Sequence, residues 1–267
     1  MNDRGRDRES FFINSHGPDK PAIERGLKWL FNICMGKTCE GRGLVAVPQK
    51  SNISEGVVSE VLGEKVSKVL AKDDKVFMPI GPPGFELHLM TKRKEVRNWE
   101  GPVLAIYPDE DLLNKLDAVN GVTEVLVIPW LKEEAEDWIE TWSAKELDDT
   151  SRADESSRET KPAISNPVVE EALRSLTIVV NVSTGISHPY DRGRTIDMFE
   201  KLKEAGEPYD LKEVRNWLIR KGWEPRHADD VVEIGKKVLE GKRPRKERSW
   251  KADIVDDWRK SAKSKQR

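Results

Sequence analysis

Lysine, serine, asparagine, aspartate and glutamate clustered in short turns after apolar runs are the usual lining of a small-ligand site. This chain offers such a group: Lys50, Ser51 and Asn52 after one run, Asp109 and Glu110 after another, and Trp130 after a third. In open α/β sheets, ligands bind outside the carboxyl ends of strands, where the strand order switches direction. These residues are therefore the candidate ligand site. Lys50, Ser51, Asp109 and Glu110 are the ones an enzyme acting on a small polar or phosphorylated substrate would use.

A second group lies in Ser183-Thr184-Gly185-Ile186-Ser187-His188-Pro189-Tyr190-Asp191-Arg192, dense in hydrogen-bonding side chains at a helix start. Exposed amides of a first turn attract anions, so Ser187, His188, Arg192 and Arg194 form a candidate anion site. The competing account is an elaborate cap in which Ser187 and Asp191 satisfy backbone donors.

The third group is basic. Lys242, Arg243, Arg245, Lys246 and Arg248 precede Trp250, and the last 26 residues carry eleven Lys or Arg against four Asp or Glu. Local positive charge beside an aromatic ring is the footprint of nucleic-acid binding, set against a solubilising tail or a helix docked through its tryptophans. Lys92, Arg93, Lys94 and Arg97, followed by Trp99, make a smaller version of the pattern.

Other residues carry less. His88 shares a strand face with Glu86, but no nucleophile or third partner accompanies them, and His16 and His227 offer still less. Gly36-Lys37-Thr38 imitates the end of a phosphate loop, yet Phe31 stands where that loop needs its first glycine, and the tripeptide ends a helix instead of following a strand. Cys34 and Cys39 have neither zinc-knuckle nor CxxC spacing and read as packing thiols. No metal and no cofactor is implied.

The elements that must position these residues follow from periodicity. Ile23, Leu27, Leu30, Phe31 and Cys34 recur at helical spacing, with Gly36 as a stop. Gly43 to Val47 is a strand closed by Pro48, followed by a helix carrying Val57 to Leu70 with Ser54 as its N-cap. Val76 to Ile80 and Phe85 to Met90 flank Gly81-Pro82-Pro83-Gly84 and predict a hairpin. Pro102 to Tyr107 and Val122 to Ile128 are strands, each followed by a proline and a helix, over Asp109 to Leu116 and Lys132 to Trp142. Apolar runs without polar alternation predict a largely parallel, possibly mixed sheet covered on both faces: a three-layer, Rossmann-like α/β domain over 21–145.

Residues 1–20 lack periodicity and are expected to be a mobile arm, with Phe11, Phe12 and Ile13 available to dock. Residues 146–164 are expected to be an acidic flexible linker, since Glu146 to Lys161 hold nine charged side chains and one Leu. Val168 to Val182 is expected to be a helix. Helices from Pro189 to Ala205, from Asp210 with Glu213 as a capping box, and over 226–240 complete an all-helical module spanning 165–241, before a basic tail over 242–267.

Composition bounds the rest. With 37% hydrophobic and 35% charged residues the chain can bury a core beneath a heavily charged surface, and a net charge of −2 gives no whole-molecule pull toward nucleic acid or membrane. No apolar run reaches the ~20 residues of a membrane span, and the charged first residues predict no export signal, so a cytoplasmic protein is expected. Residues 187–241 carry eleven Lys or Arg against twelve Asp or Glu, which favours protein interaction over groove binding for the helical module. These features favour a binding or regulatory protein whose basic tail contacts nucleic acid. The alternatives are the enzyme described above and a structural adaptor joining two proteins.

Overall fold

The structure is a computed structural model that describes residues 8–36, 41–79, 84–147, 164–242 and 244–265. It divides into an α/β unit within Asp7–Ser157 and a helical unit within Arg158–Arg267.

The α/β unit runs β1 (Glu9–Phe12), α1 (Lys20–Gly36), β2 (Arg42–Val47), α2 (Ser51–Ser54), α3 (Gly56–Leu62), α4 (Glu64–Asp73), β3 (Lys75–Met78), β4 (Phe85–Thr91), β5 (Asn98–Ile106), α5 (Glu110–Asp117) and β6 (Asn120–Ile128). A 3₁₀ turn (Lys132–Ala135), α6 (Glu136–Trp142) and β7 (Lys145–Glu146) complete it. The seven strands form one sheet in the order β3-β4-β2-β5-β6-β1-β7. Every neighbouring pair is parallel except β3 and β4, the expected hairpin, which are antiparallel.

Successive strand residues enter opposite cores, which is why the strands read as unbroken apolar runs. Val45, Val47, Leu104, Ile106 and Leu126 pack with Ile23 and Leu30 of α1, Ile53 of α2 and Leu70 of α4. Leu44, Ala46, Val103, Val125 and Val127 pack with Leu112 and Leu116 of α5 and Trp138 of α6. Helices α1 to α4 thus cover one face, and α5 and α6 the other.

Four expectations are corrected. Residues 9–12 are not part of an arm: they form β1, hydrogen-bonded between β6 and β7. Phe12 enters one core while Phe11 and Ile13 enter the other, so three apolar residues suffice for a strand that their polar flanks concealed. The helix expected from an N-cap at Ser54 is two short ones, α3 and α4, with Ser54 ending the single turn α2 before them, because Glu55 is extended and Gly63 adopts a φ of +84° that L side chains avoid. Lys145–Glu146, which straddle the expected boundary between the α/β domain and the linker, form the edge strand β7, and the Leu147 amide donates to the Phe12 carbonyl at 2.8 Å. Residues 148–163, the bulk of that segment, lie outside the described residues, as do Lys37, Thr38, Cys39, Gly81, Pro82, Pro83 and Arg243.

The fourth correction concerns the basic tail. The helical unit comprises α7 (Pro167–Val179), α8 (Pro189–Glu204), α9 (Leu211–Arg220), α10 (Pro225–Leu239) and α11 (Ile254–Lys265), so the last helix lies inside the expected tail. Trp258 of α11 is buried, and its indole N–H donates to Ser175 Oγ of α7 at 3.0 Å. Leu173, Leu176, Phe199, Trp217, Trp223, Val231 and Ile234 are buried. Asp210 caps α9 by accepting from the Lys212 and Glu213 amides, but Glu213 accepts from Ser165 instead of closing a reciprocal box. No helix among the described residues is long and apolar enough to cross a membrane.

Candidate functional site

Which face each connecting helix takes decides where the sheet opens. After β2 the chain turns to α2 on one face, whereas after the adjacent β5 it turns to α5 on the other. After β6 it turns to α6, whereas after the adjacent β1 it turns to α1 on the opposite face. Two crevices of the switch-point kind therefore flank the β5–β6 pair at its carboxyl end.

At the β1/β6 crevice the loop 13–19 is bound down by its own chemistry. Ser15 Oγ donates to the Pro129 carbonyl at 2.5 Å, and the Gly17 amide donates to the Trp130 carbonyl at 2.8 Å. Asp19 caps α1 by accepting from the Ala22 amide at 2.9 Å. Its own amide donates to the Tyr107 hydroxyl at 3.2 Å. Tyr107 ends β5 at a φ of +51°, a conformation costly for a bulky residue and commonest where a site needs it. Its partial burial raises the phenol pKa above the ordinary value. The Trp130 ring stands edge-on to it, with centroids 5.0 Å apart, and remains 42% exposed. Asn14 and His16 are exposed on the same loop.

At the β2/β5 crevice the polar groups are ionic. Lys92, following β4, pairs with Asp109 at 2.6 Å, and Asp109 also caps α5 by accepting from the Leu112 amide at 3.1 Å. The hydrogen bond that Lys92 donates to Asp109 raises the Lys92 pKa. Lys50 and Lys94 both reach the Asp74 carboxylate, at 2.6 and 2.7 Å, and hold it below the usual carboxylate range. Asp74 adopts a φ of +60° between α4 and β3.

The structure thus brings Lys50, Ser51, Asn52, Asp109, Glu110 and Trp130 to one end of the sheet, with Ser51 and Glu110 exposed and Asn52 accepting from the Gln49 amide at 2.9 Å. It adds Tyr107, Asn14 and Asp74, which the sequence does not single out, and His16, which it ranks below His88. The loop Asn14-Ser15-His16-Gly17-Pro18-Asp19 carried a usable signal: an apolar triplet before it, and a capping aspartate after it at the start of a periodic helix.

The other groups are occupied differently. His88 sits mid-strand with Nε2 2.8 Å from Glu86, which also pairs with Lys75 at 3.0 Å. His188, not Ser187, caps α8: its Nδ1 accepts from the Tyr190 amide at 3.3 Å, while Ser187 Oγ donates to the Thr184 carbonyl at 2.7 Å. Arg194 pairs with Asp191 at 3.7 Å and lies 6.0 Å from the Trp250 ring, and Arg192 lends its field to Glu233. In the basic segment, Lys242 pairs with Glu240, Lys246 with Asp197 and Glu200, and Lys265 with Glu171. Trp250 donates its amide to Asp197 at 2.6 Å and its indole N–H to the Arg194 carbonyl at 3.0 Å. Arg245 and Arg248 are exposed. Among the described residues no group of three or more His, Cys, Asp or Glu side chains is placed to hold a metal ion.

Comparison with known families finds similarity over residues 165–259 to a family described as "Domain of unknown function (DUF1889)". The matched stretch begins just before α7 and runs into α11. Neither the curated proteins nor the solved structures give a match.

Proposed function

We propose that the chain is a binding protein in which the α/β unit takes a small polar ligand at the carboxyl ends of β1, β2, β5 and β6, and the helical unit serves as a protein-interaction module. The observation that carries the ligand site is Trp130, 42% exposed in a loop and set against Tyr107 beside the β1/β6 crevice. An indole left open to solvent at such a crevice offers a flat apolar surface, and the flanking lysines, aspartates and His16 offer polar groups to orient what rests on it. The interaction role of the helical unit is supported by its balanced charge and by the exposed Ile178, Val179 and Tyr190.

The test is thermal unfolding of the full chain against a panel of small metabolites, repeated on Trp130→Ala. A ligand at one hundred times its Kd adds about 2.7 kcal/mol of stability, an easily read rise in Tm. The expected result is at least one stabilising ligand whose effect Trp130→Ala removes. A panel without effect, or one whose effects survive the substitution, sinks the ligand site.

A further inference from the structure

Asp74 is approached by two lysines from two different loops, Lys50 after β2 and Lys94 after β4. Two cations share one carboxylate, so one positive charge is left over. Arg93, exposed between Lys92 and Lys94, adds to it. Both lysine side chains remain nearly half exposed, at 44% and 46%, whereas that of Asp74 is 20% exposed. The lysines thus stand outward of the carboxylate they hold, where an incoming anion would meet them first.

Building on the ligand site described above, we propose that Lys50 and Lys94 are the subsite for the phosphoryl group of a small phosphorylated metabolite, with Asp74 the internal carboxylate that this group displaces. A phosphate dianion neutralises both lysines, whereas a carboxylate neutralises one, and its oxygens accept from two ammonium groups at once. In the unliganded chain Asp74 keeps the two lysines gathered and their loops tied to the start of β3. When phosphate takes the lysines, the Asp74 carboxylate turns back to water. Ser51, exposed next to Lys50, supplies a neutral donor.

The experiment is calorimetric titration of the full chain with inorganic phosphate and with phenyl phosphate, at constant ionic strength set by chloride. The same titrations are run on the Lys50→Ala/Lys94→Ala double variant and on Asp74→Asn. Both phosphates should bind the wild type, and the double variant should lose at least about tenfold in affinity, the scale of unit charges lost at contact in a water-facing site. Asp74→Asn, which removes the competitor and keeps the lysines, should gain about tenfold. Tighter binding of phenyl phosphate than of inorganic phosphate assigns the subsite to an organic phosphomonoester; equal binding assigns it to the free ion and overturns the metabolite part of the proposal. Equal phosphate affinity in the wild type and the double variant, or no binding by both the wild type and Asp74→Asn, overturns it entirely. If a ligand that depends on Trp130 keeps its affinity in the double variant, the ligand site stands and only its phosphoryl assignment falls.

Discussion

Three side chains, Lys50, Asp74 and Lys94, show how far residue types alone can be read. Lys50 was visible because it follows an apolar run and a proline. Lys94 was visible only as one charge in a basic run, and Asp74 not at all, because nothing in a sequence says which carboxylate two distant lysines will share. Tyr107 was hidden for a related reason: its left-handed backbone is imposed by the loops around it, and nothing in tyrosine announces it. The Asp74 contact has a pH signature. Lys50 and Lys94 lower the carboxyl pKa in the folded state. The stability this confers is therefore complete above the unfolded value, about 3.9, and is lost as the pH falls through the lower folded value. Urea unfolding of wild type and Asp74→Asn at pH 7 and pH 3 should show the wild type more stable at pH 7 and the gap closing at pH 3. A gap equal at both values would mean that the ion pair adds nothing.

At the scale of elements, the strands β2, β4, β5 and β6 and the helices α1, α5, α7, α9 and α10 were legible because long apolar periodicity overrides local ambiguity. What escaped were the short pieces whose existence depends on partners: β1 with four residues, β7 with two, and the break at Gly63. The basic tail escaped differently. Its charge suggested a surface for an outside polyanion, but the acids that meet it lie in α7 and α8 of its own unit, Glu171, Asp197 and Glu200. Its approach depends on one residue of α8: a Cβ on Gly193 would stand 2.7 Å from the Arg248 amide nitrogen and 2.9 Å from that of Glu247. Both are backbone atoms, which cannot swing aside. Gly193→Ala should therefore lift the segment that carries Lys246 and Trp250 off α8 and cost about 1–3 kcal/mol, the range for overpacking a close contact. Chemical denaturation measures the loss, and the near-ultraviolet signal of Trp250 should change with it; an unchanged midpoint would show that the crossing is slack.

At the scale of the molecule, two units with separate cores should melt as separate cooperative bodies. Fragments 1–157 and 158–267 are expected each to unfold in a single transition, and calorimetry of either decides it: a fragment that shows none depends on the other half. The order of strands within the sheet has a further consequence, for biosynthesis. β1 leaves the ribosome first, yet its neighbours in the sheet are β6 and β7, which are made more than a hundred residues later. Until they arrive, Phe11, Phe12 and Ile13 have no sheet to join, while β2 and β4 can already pair. The start of the chain is thus kept waiting through the synthesis of nearly the whole α/β unit. The loop that carries His16 is held only once Pro129 and Trp130, just after β6, are in place, so the β1/β6 half of the proposed site is completed after the β2/β5 half.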